Sequence, residues 1–340
     1  MAGERMAAEV AEQPAVFDSL VAGRGGLADV ASLIATRKPR FALLAARGSS
    51  DHAALYAKYL IEVLLQLPAG LVSPSTTTLY GAHPDFTDVL YLSVSQSGGS
   101  PDLVAATEAA RAQGALTVAV TNTPASPLSD AAELSVDIGA GEELAVAATK
   151  TYTATLLSLY LLVDAIRGGS AAAVRDIGEL ASTALAEPVE DAVERFRDIE
   201  RVLTTGRGYS SATAAEAALK LAETSYLAAR AYSGADLLHG PVAAVDSHTG
   251  VVAVTSRGHG GAAMRDVVQT VRERGASVLA VGSAARDTPA DLRIAIPETA
   301  EEVAPILEIL PLQRLALAVS LARGVDPDNP RGLHKVTRTV

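Results

Sequence analysis

Two serine-rich stretches are the first residues in this chain able to do chemistry: Gly48-Ser49-Ser50 and Ser95-Gln96-Ser97-Gly98-Gly99-Ser100. Each follows a short apolar run and opens an alanine-rich segment of helical period, with Pro101 suited to a first helical position. A phosphate there would meet free backbone N–H groups, hydroxyls and the positive end of a helix dipole, and glycines would let the backbone come close. A single Ser-Gly loop is more often a cap or a turn. Two in one unit, with five hydroxyls between them, favour anion binding.

Acid and base groups follow later in the chain. Glu216, Lys220 and Glu223 share one helix face through i, i+4 and i+7 spacing, for which a surface salt-bridge ladder is the ordinary reading. In Leu237-Leu238-His239-Gly240-Pro241 the histidine has an apolar, turn-forming context, which by itself suggests a buried structural side chain. Lys150 opens a helix against its dipole, explained equally by a nearby anion or by a solvated surface position. The basic tail from Pro330 has no helical period; it frays, or its Lys335 folds back over an anionic ligand.

Competing motifs fail on spacing. There is no G-x-G-x-x-G after the first strand and no G-x-x-x-x-G-K-[ST], and Ser95 stands where a G-x-S-x-G elbow around Ser97 needs glycine. The six histidines lack metal-ligand spacing and cysteine is absent, so neither a metal nor a cofactor is expected. The same absence removes disulfides and fits a reducing, cytoplasmic compartment.

Short β-branched runs at 41–46, 89–94, 115–121 and 133–138 alternate with helical segments at 51–66 and 101–113 and a longer one from Thr149. That alternation is the pattern of βαβ units and a parallel sheet. A repeat about 160 residues apart doubles it. ALLAARGSSDHAA from Ala42 matches VLTTGRGYSSATA from Val202, and SVSQSGGSPDL from Ser93 matches TSRGHGGAAM from Thr255. A second unit therefore begins near residue 190, joined through helical sequence at 171–197. The serine hydroxyls are expected to survive in the first copy only, which places the ligand there. With 340 residues, 49% of them hydrophobic, the chain can bury two cores. A net charge of −11 spread along the sequence argues against nucleic-acid and anionic-membrane partners. The N-terminus does not read as a secretory signal, and the most apolar stretch noted, 156–163, is too short to span a membrane.

Taken together these segments resemble the sugar isomerase (SIS) family, in the double-domain form of the isomerase half of glucosamine-6-phosphate synthase. The likeness runs from Glu9-Val10-Ala11-Glu12-Gln13-Pro14 through SQSGGSPD, VAATKT and EAALKLAETSY to LLHGP and the tail. It implies an α/β chain of two tandem doubly wound, flavodoxin-like parallel-sheet domains. Domain 1 spans 1–185 with an N-terminal helical extension, and domain 2 spans 186–340 with the tail. It implies a sugar-phosphate substrate and a homodimer with sites at the subunit interface. Ser50, Ser95, Gln96, Ser97 and Ser100 would hold the phosphate, while Val146 and Ala148 line the sugar through their backbone. Glu223 would move a proton between C1 and C2, with Lys220 beside it. His239, reaching in from a partner subunit, would open the sugar ring, and Lys335 would meet the open-chain carbonyl.

Three departures matter. A glutamine-hydrolysing domain with its N-terminal cysteine is lacking, Ala229-Arg230-Ala231-Tyr232 carries arginine where the synthase often has glutamate, and Ala222 replaces a frequent lysine. The resemblance then points to the stand-alone deaminases, which turn glucosamine 6-phosphate and water into fructose 6-phosphate and ammonia. An aldose–ketose isomerase or fructosamine-6-phosphate deglycase is the neighbouring alternative, and a non-catalytic sugar-phosphate sensor the alternative of another class.

Overall fold

The computed structural model describes residues 2–335. Among them, ten strands form two wholly parallel five-stranded sheets. The first contains β1 (Phe41–Ala45), β2 (Ala69–Leu71), β3 (Val89–Val94), β4 (Leu116–Thr121) and β5 (Leu134–Asp137), in the order β2-β1-β3-β4-β5. The second contains β6 (Arg201–Gly206), β7 (Ala228–Ser233), β8 (Thr249–Val254), β9 (Ser277–Gly282) and β10 (Leu292–Ala295). Read from the β7 edge its order is β7-β6-β8-β9-β10, the same winding. The sequence repeat is thus a repeat of topology.

Composition explains which strands lie inside. Every residue of β3, β4 and β8 is buried, as expected of apolar runs covered on both faces by helices. Strands β2, β7 and β10 have no such run. They are short or alanine-rich edges, recognisable only by their hydrogen-bonded pairing with β1, β6 and β9.

The helices that follow the serine loops are Ser49–Leu64 and Pro101–Ala112. Helix Lys150–Ile166 contains the apolar stretch at 156–163, and all its residues through Asp164 are buried in the fold. Helix Ala304–Ala322 is long and apolar enough to cross a membrane by composition, yet 78% of its apolar window is buried, and it packs on helix Ser210–Ser225. The connecting sequence is not one helix. It breaks into Ile177–Ala186 and Glu190–Phe196 around Pro188, which disfavours helical geometry in the residue before it.

The chain condenses into two compact units. One comprises residues 1–14, 144–149 and 176–333, and the other 15–143, 150–175 and the tail from His334. In the former, Asp328 accepts from the backbone N–H groups of Arg5 and Met6, and Asp326 from that of Gly3. These carboxylates satisfy N–H groups that the first turn of helix Glu4–Gly23 leaves without intrahelical partners.

Candidate active site

In the order β2-β1-β3-β4-β5 the winding reverses between β1 and β3, and the loops leaving those strands flank the crevice where such sheets take ligands. They are the two serine loops. Gly48, at φ +57°, turns the chain out of β1 so that Ser50 lies in the first turn of helix Ser49–Leu64. Ser100 occupies the cap position of helix Pro101–Ala112, but its side chain makes no capping bond. Ser95 Oγ accepts from Gly98 N (3.2 Å) and Ser97 Oγ from Gly99 N (3.3 Å), which leaves each hydroxyl hydrogen able to donate outward. Gln96, Ser97 and Ser100 are half-buried, and Ser95 is buried.

Gly98 fixes the shape of this loop. It holds φ +60°, and a Cβ there would lie 2.1 Å from Ser126 Oγ. Gly98→Ala is therefore expected to displace the loop, weakening phosphate binding at least about tenfold at a strain cost of about 1–3 kcal/mol. Titration calorimetry and thermal unfolding measure the two effects separately.

Sequence reasoning missed a brace at this crevice. Arg47 Nη2 lies 2.8 Å from the buried Asp102 Oδ2, joining the end of β1 to the first turn of the second loop's helix. The signal was available, because Arg47 recurs as Arg207 in the repeat.

Val146 and Ala148, both half-buried, lie in the 144–149 strap, whose backbone is held from the N-terminal motif. Buried Glu9 accepts from the N–H groups of Leu144 and Ala145. Gln13 donates to Gln313 (2.9 Å), which donates to Thr149 O (3.1 Å). Pinning a strap through its backbone in this way presents main-chain groups at defined positions.

The acid and base set is not a surface ladder. On helix Ser210–Ser225, Lys220 Nζ lies 3.3 Å from Glu216 Oε1 and 2.6 Å from Glu223 Oε2, with side-chain exposures of 1%, 0% and 23% respectively for Lys220, Glu216 and Glu223. Spacing put the three on one face, and that face is buried or half-buried in the fold, where helix Ser210–Ser225 packs on helix Ala304–Ala322 and on its own sheet. Burial pushes the Lys220 ammonium down, but the two carboxylates outweigh it and hold the group above the usual lysine range. Glu223 is thus the partly open end of a buried charge cluster.

Two other histidine and lysine expectations change. His239, at the C-cap of helix Gly234–Leu238, is exposed rather than buried, because the turn into Gly240-Pro241 carries it off the apolar face. Lys150 is buried rather than solvated. Lys335 does fold back: its Nζ lies 2.6 Å from Glu143 Oε2. The serine loops and Lys335 belong to one compact unit, and Val146, Ala148, Lys220, Glu223 and His239 to the other.

Family profiles match this architecture. The SIS domain is found twice, over residues 37–165 and 195–323. The chain belongs to the SIS domain family. It is homologous to the isomerase domain of glutamine–fructose-6-phosphate aminotransferase. The isomerizing glutamine–fructose-6-phosphate aminotransferase of Gloeobacter violaceus is 35% identical over 354 residues, covering 97% of this chain and 58% of the relative. The chain therefore spans a little over half the length of that curated relative. Among solved structures, a Silicibacter pomeroyi protein provisionally named a phosphosugar isomerase shares 35% identity at a TM-score of 0.90, covering 96% of this chain and 100% of that one. The C-terminal domain of glucosamine–fructose-6-phosphate aminotransferase from Francisella tularensis shares 25% identity at a TM-score of 0.86, with 96% and 98% covered.

The second SIS repeat shows why its crevice differs from the first. Ser95 N donates to Val120 O and Thr255 N to Val281 O, so Thr255 is the counterpart of Ser95, two residues away from the register read in sequence. Hydroxyls thus survive in both copies, at Thr255 and Ser256 in the second, contrary to expectation. What differs is the occupant. Ser210, counterpart of Ser50, donates to Glu308 Oε1 (2.8 Å), as Thr213 does to Oε2 (2.7 Å). Glu301 accepts from His259 N (2.9 Å) and Gly260 N (2.7 Å). The second repeat satisfies its loop with its own carboxylates, and burial pushes Glu308 above the usual carboxylate range against the hydroxyls bonded to it.

Proposed function

We propose that this protein is an amino-sugar phosphate deaminase, converting glucosamine 6-phosphate and water into fructose 6-phosphate and ammonia. The observation that carries this reading is the Glu216–Lys220–Glu223 cluster, which presents one carboxylate at the edge of a dry, charge-compensated interior. A side chain so placed can take and return a proton without water competing for it. Family membership supports the substrate class, and the relatives' names couple isomerisation to an amino group on a six-carbon sugar phosphate.

In this reading the phosphate sits on Ser50, Ser95, Gln96, Ser97 and Ser100, and the sugar lies along the backbone of Val146 and Ala148. His239 of the partner subunit, in a homodimer, opens the ring by moving a proton from O1 to the ring oxygen. Glu223 removes the proton from C2 and returns it to C1, turning the aldose amine into a ketimine. Lys335 meets the open-chain carbonyl. Water adds to the ketimine carbon and ammonia departs, leaving the ketose phosphate. The exposed position of His239 supports a role toward a neighbouring subunit. Arg230, exposed on β7, is where a bulkier amine adduct would be distinguished from free glucosamine 6-phosphate. The cytoplasm, where such phosphosugars are made, is the compartment this reading assigns.

Incubation of the purified protein with glucosamine 6-phosphate tests it, following ammonia and fructose 6-phosphate together. Equimolar release is expected. Binding without release of either product would overturn the deaminase assignment, and turnover of an N-substituted fructosamine phosphate instead would establish the deglycase.

A further inference from the structure

Glu143 is a fully buried carboxylate outside the acid and base cluster. It accepts from Thr151 N (3.0 Å) and Thr151 Oγ1 (2.7 Å), in the first turn of helix Lys150–Ile166. Its charge is met by Lys335 Nζ, at 2.6 Å, from a residue 192 positions away that is itself 25% exposed. Burial pushes Glu143 up, but the Lys335 charge and the bonds from Lys335 and Thr151 outweigh it and hold the carboxyl below its ordinary range. Capping a helix needs no lysine. A buried carboxylate paired with a residue of an irregular tail does something more, because ordering that tail costs conformational entropy and needs a compensating anchor. Just upstream, Arg331 N donates to Tyr226 Oη (2.6 Å) and its guanidinium lies over the Tyr226 ring at 4.9 Å. The tail is therefore seated before it reaches Lys335.

We propose that Glu143 is a positioning residue that docks the C-terminal tail through Lys335, and thereby fixes where that amine meets the sugar. The inference rests on the reading of Lys335 as the group that meets the open-chain carbonyl, and it supplies that lysine's partner. An ammonium has three donor hydrogens, so Lys335 can keep its bond to Glu143 while another hydrogen turns toward substrate. Substrate would then meet an amine already in place rather than one sampled from a free chain end.

Glu143→Gln keeps an acceptor for Thr151 and removes the charge. Trypsin cleavage after Lys335 is expected to accelerate at least about tenfold. The kcat for glucosamine 6-phosphate should fall on the order of 10²-fold with KM nearly unchanged, as a small misplacement of a catalytic group does. A capping role alone would move none of these. Lys335→Arg keeps the ion pair without a primary amine, so it should lose turnover while the tail stays as resistant to trypsin as in the wild type. If Glu143→Gln fails to fold, Lys335→Gln tests the same latch through faster cleavage after Arg331. Wild-type cleavage rates together with an unchanged kcat would overturn the proposal. Should the wild type turn over no phosphosugar, accelerated cleavage would still establish the docking while the functional reading fell.

Discussion

Glu223→Gln is expected to lower kcat by about 10²–10⁴-fold, the usual contribution of a positioned general base. Glutamine is isosteric and its carbonyl still accepts from the Lys220 ammonium 2.6 Å away, so the helix keeps its local bond. Lys220 also keeps Glu216 as a charge partner, so no buried ammonium is stranded. The site of change is 23% exposed, and the expected loss of stability is correspondingly small. The serine loops proposed to hold the phosphate do not include Glu223, so KM should remain within a few-fold of the wild type. A kcat loss of this size with an unchanged melting temperature identifies the proton carrier. Equal loss in kcat and in stability would instead mark Glu223 as a structural member of the cluster.

Lys220→Met is expected to have the largest effect on stability. It removes the Lys220 charge from beside the Glu216 carboxylate, 0% exposed, and breaking a buried pair from one side costs about 3–5 kcal/mol. For a chain of 340 residues that corresponds to a drop in melting temperature of roughly 4–7 °C. Adding Glu216→Gln to Lys220→Met should recover much of the loss, because the buried charge goes with it. The pH dependence follows from the same cluster. Lys220 is held above its ordinary value of 10.5, so its contribution to stability is fully present below that pH and is lost as pH rises through the higher folded value. The wild type should weaken in that alkaline range through Lys220, and Lys220→Met should lack this component. Differential scanning calorimetry of the three proteins as a function of pH measures each of these effects.

Both predictions depend on a feature the sequence shows only in part. Spacing of i, i+4 and i+7 places Glu216, Lys220 and Glu223 on one face, but whether that face looks outward is decided by what packs on the helix, which includes helix Ala304–Ala322 some 80 residues later. The central strands and serine loops were legible because each is a continuous apolar run ending in glycine and hydroxyls, and because each is repeated. Strands β2, β7 and β10 were not, since a short or alanine-rich edge owes its conformation to a neighbour's hydrogen bonds. The Lys335 contact with Glu143 and the Glu301 contact with the second loop join residues 192 and about 40 positions apart. No local pattern encodes either. Motif likeness suggested that the N-terminal Glu9 and Gln13 mattered. The structure supplies their physical task, which is to hold the backbone strap on either side of Val146 and Ala148.

The central claim is that a proton leaves C2 of an amino-sugar phosphate on its way to the ketose. It is tested most directly with glucosamine 6-phosphate carrying deuterium at C2, with the released sugar phosphate examined by NMR and mass spectrometry. The account predicts slower ammonia release than from the unlabelled sugar, and fructose 6-phosphate whose deuterium has moved to C1 or been lost to water. Ammonia released with the deuterium still on C2 of an aldose phosphate would contradict it.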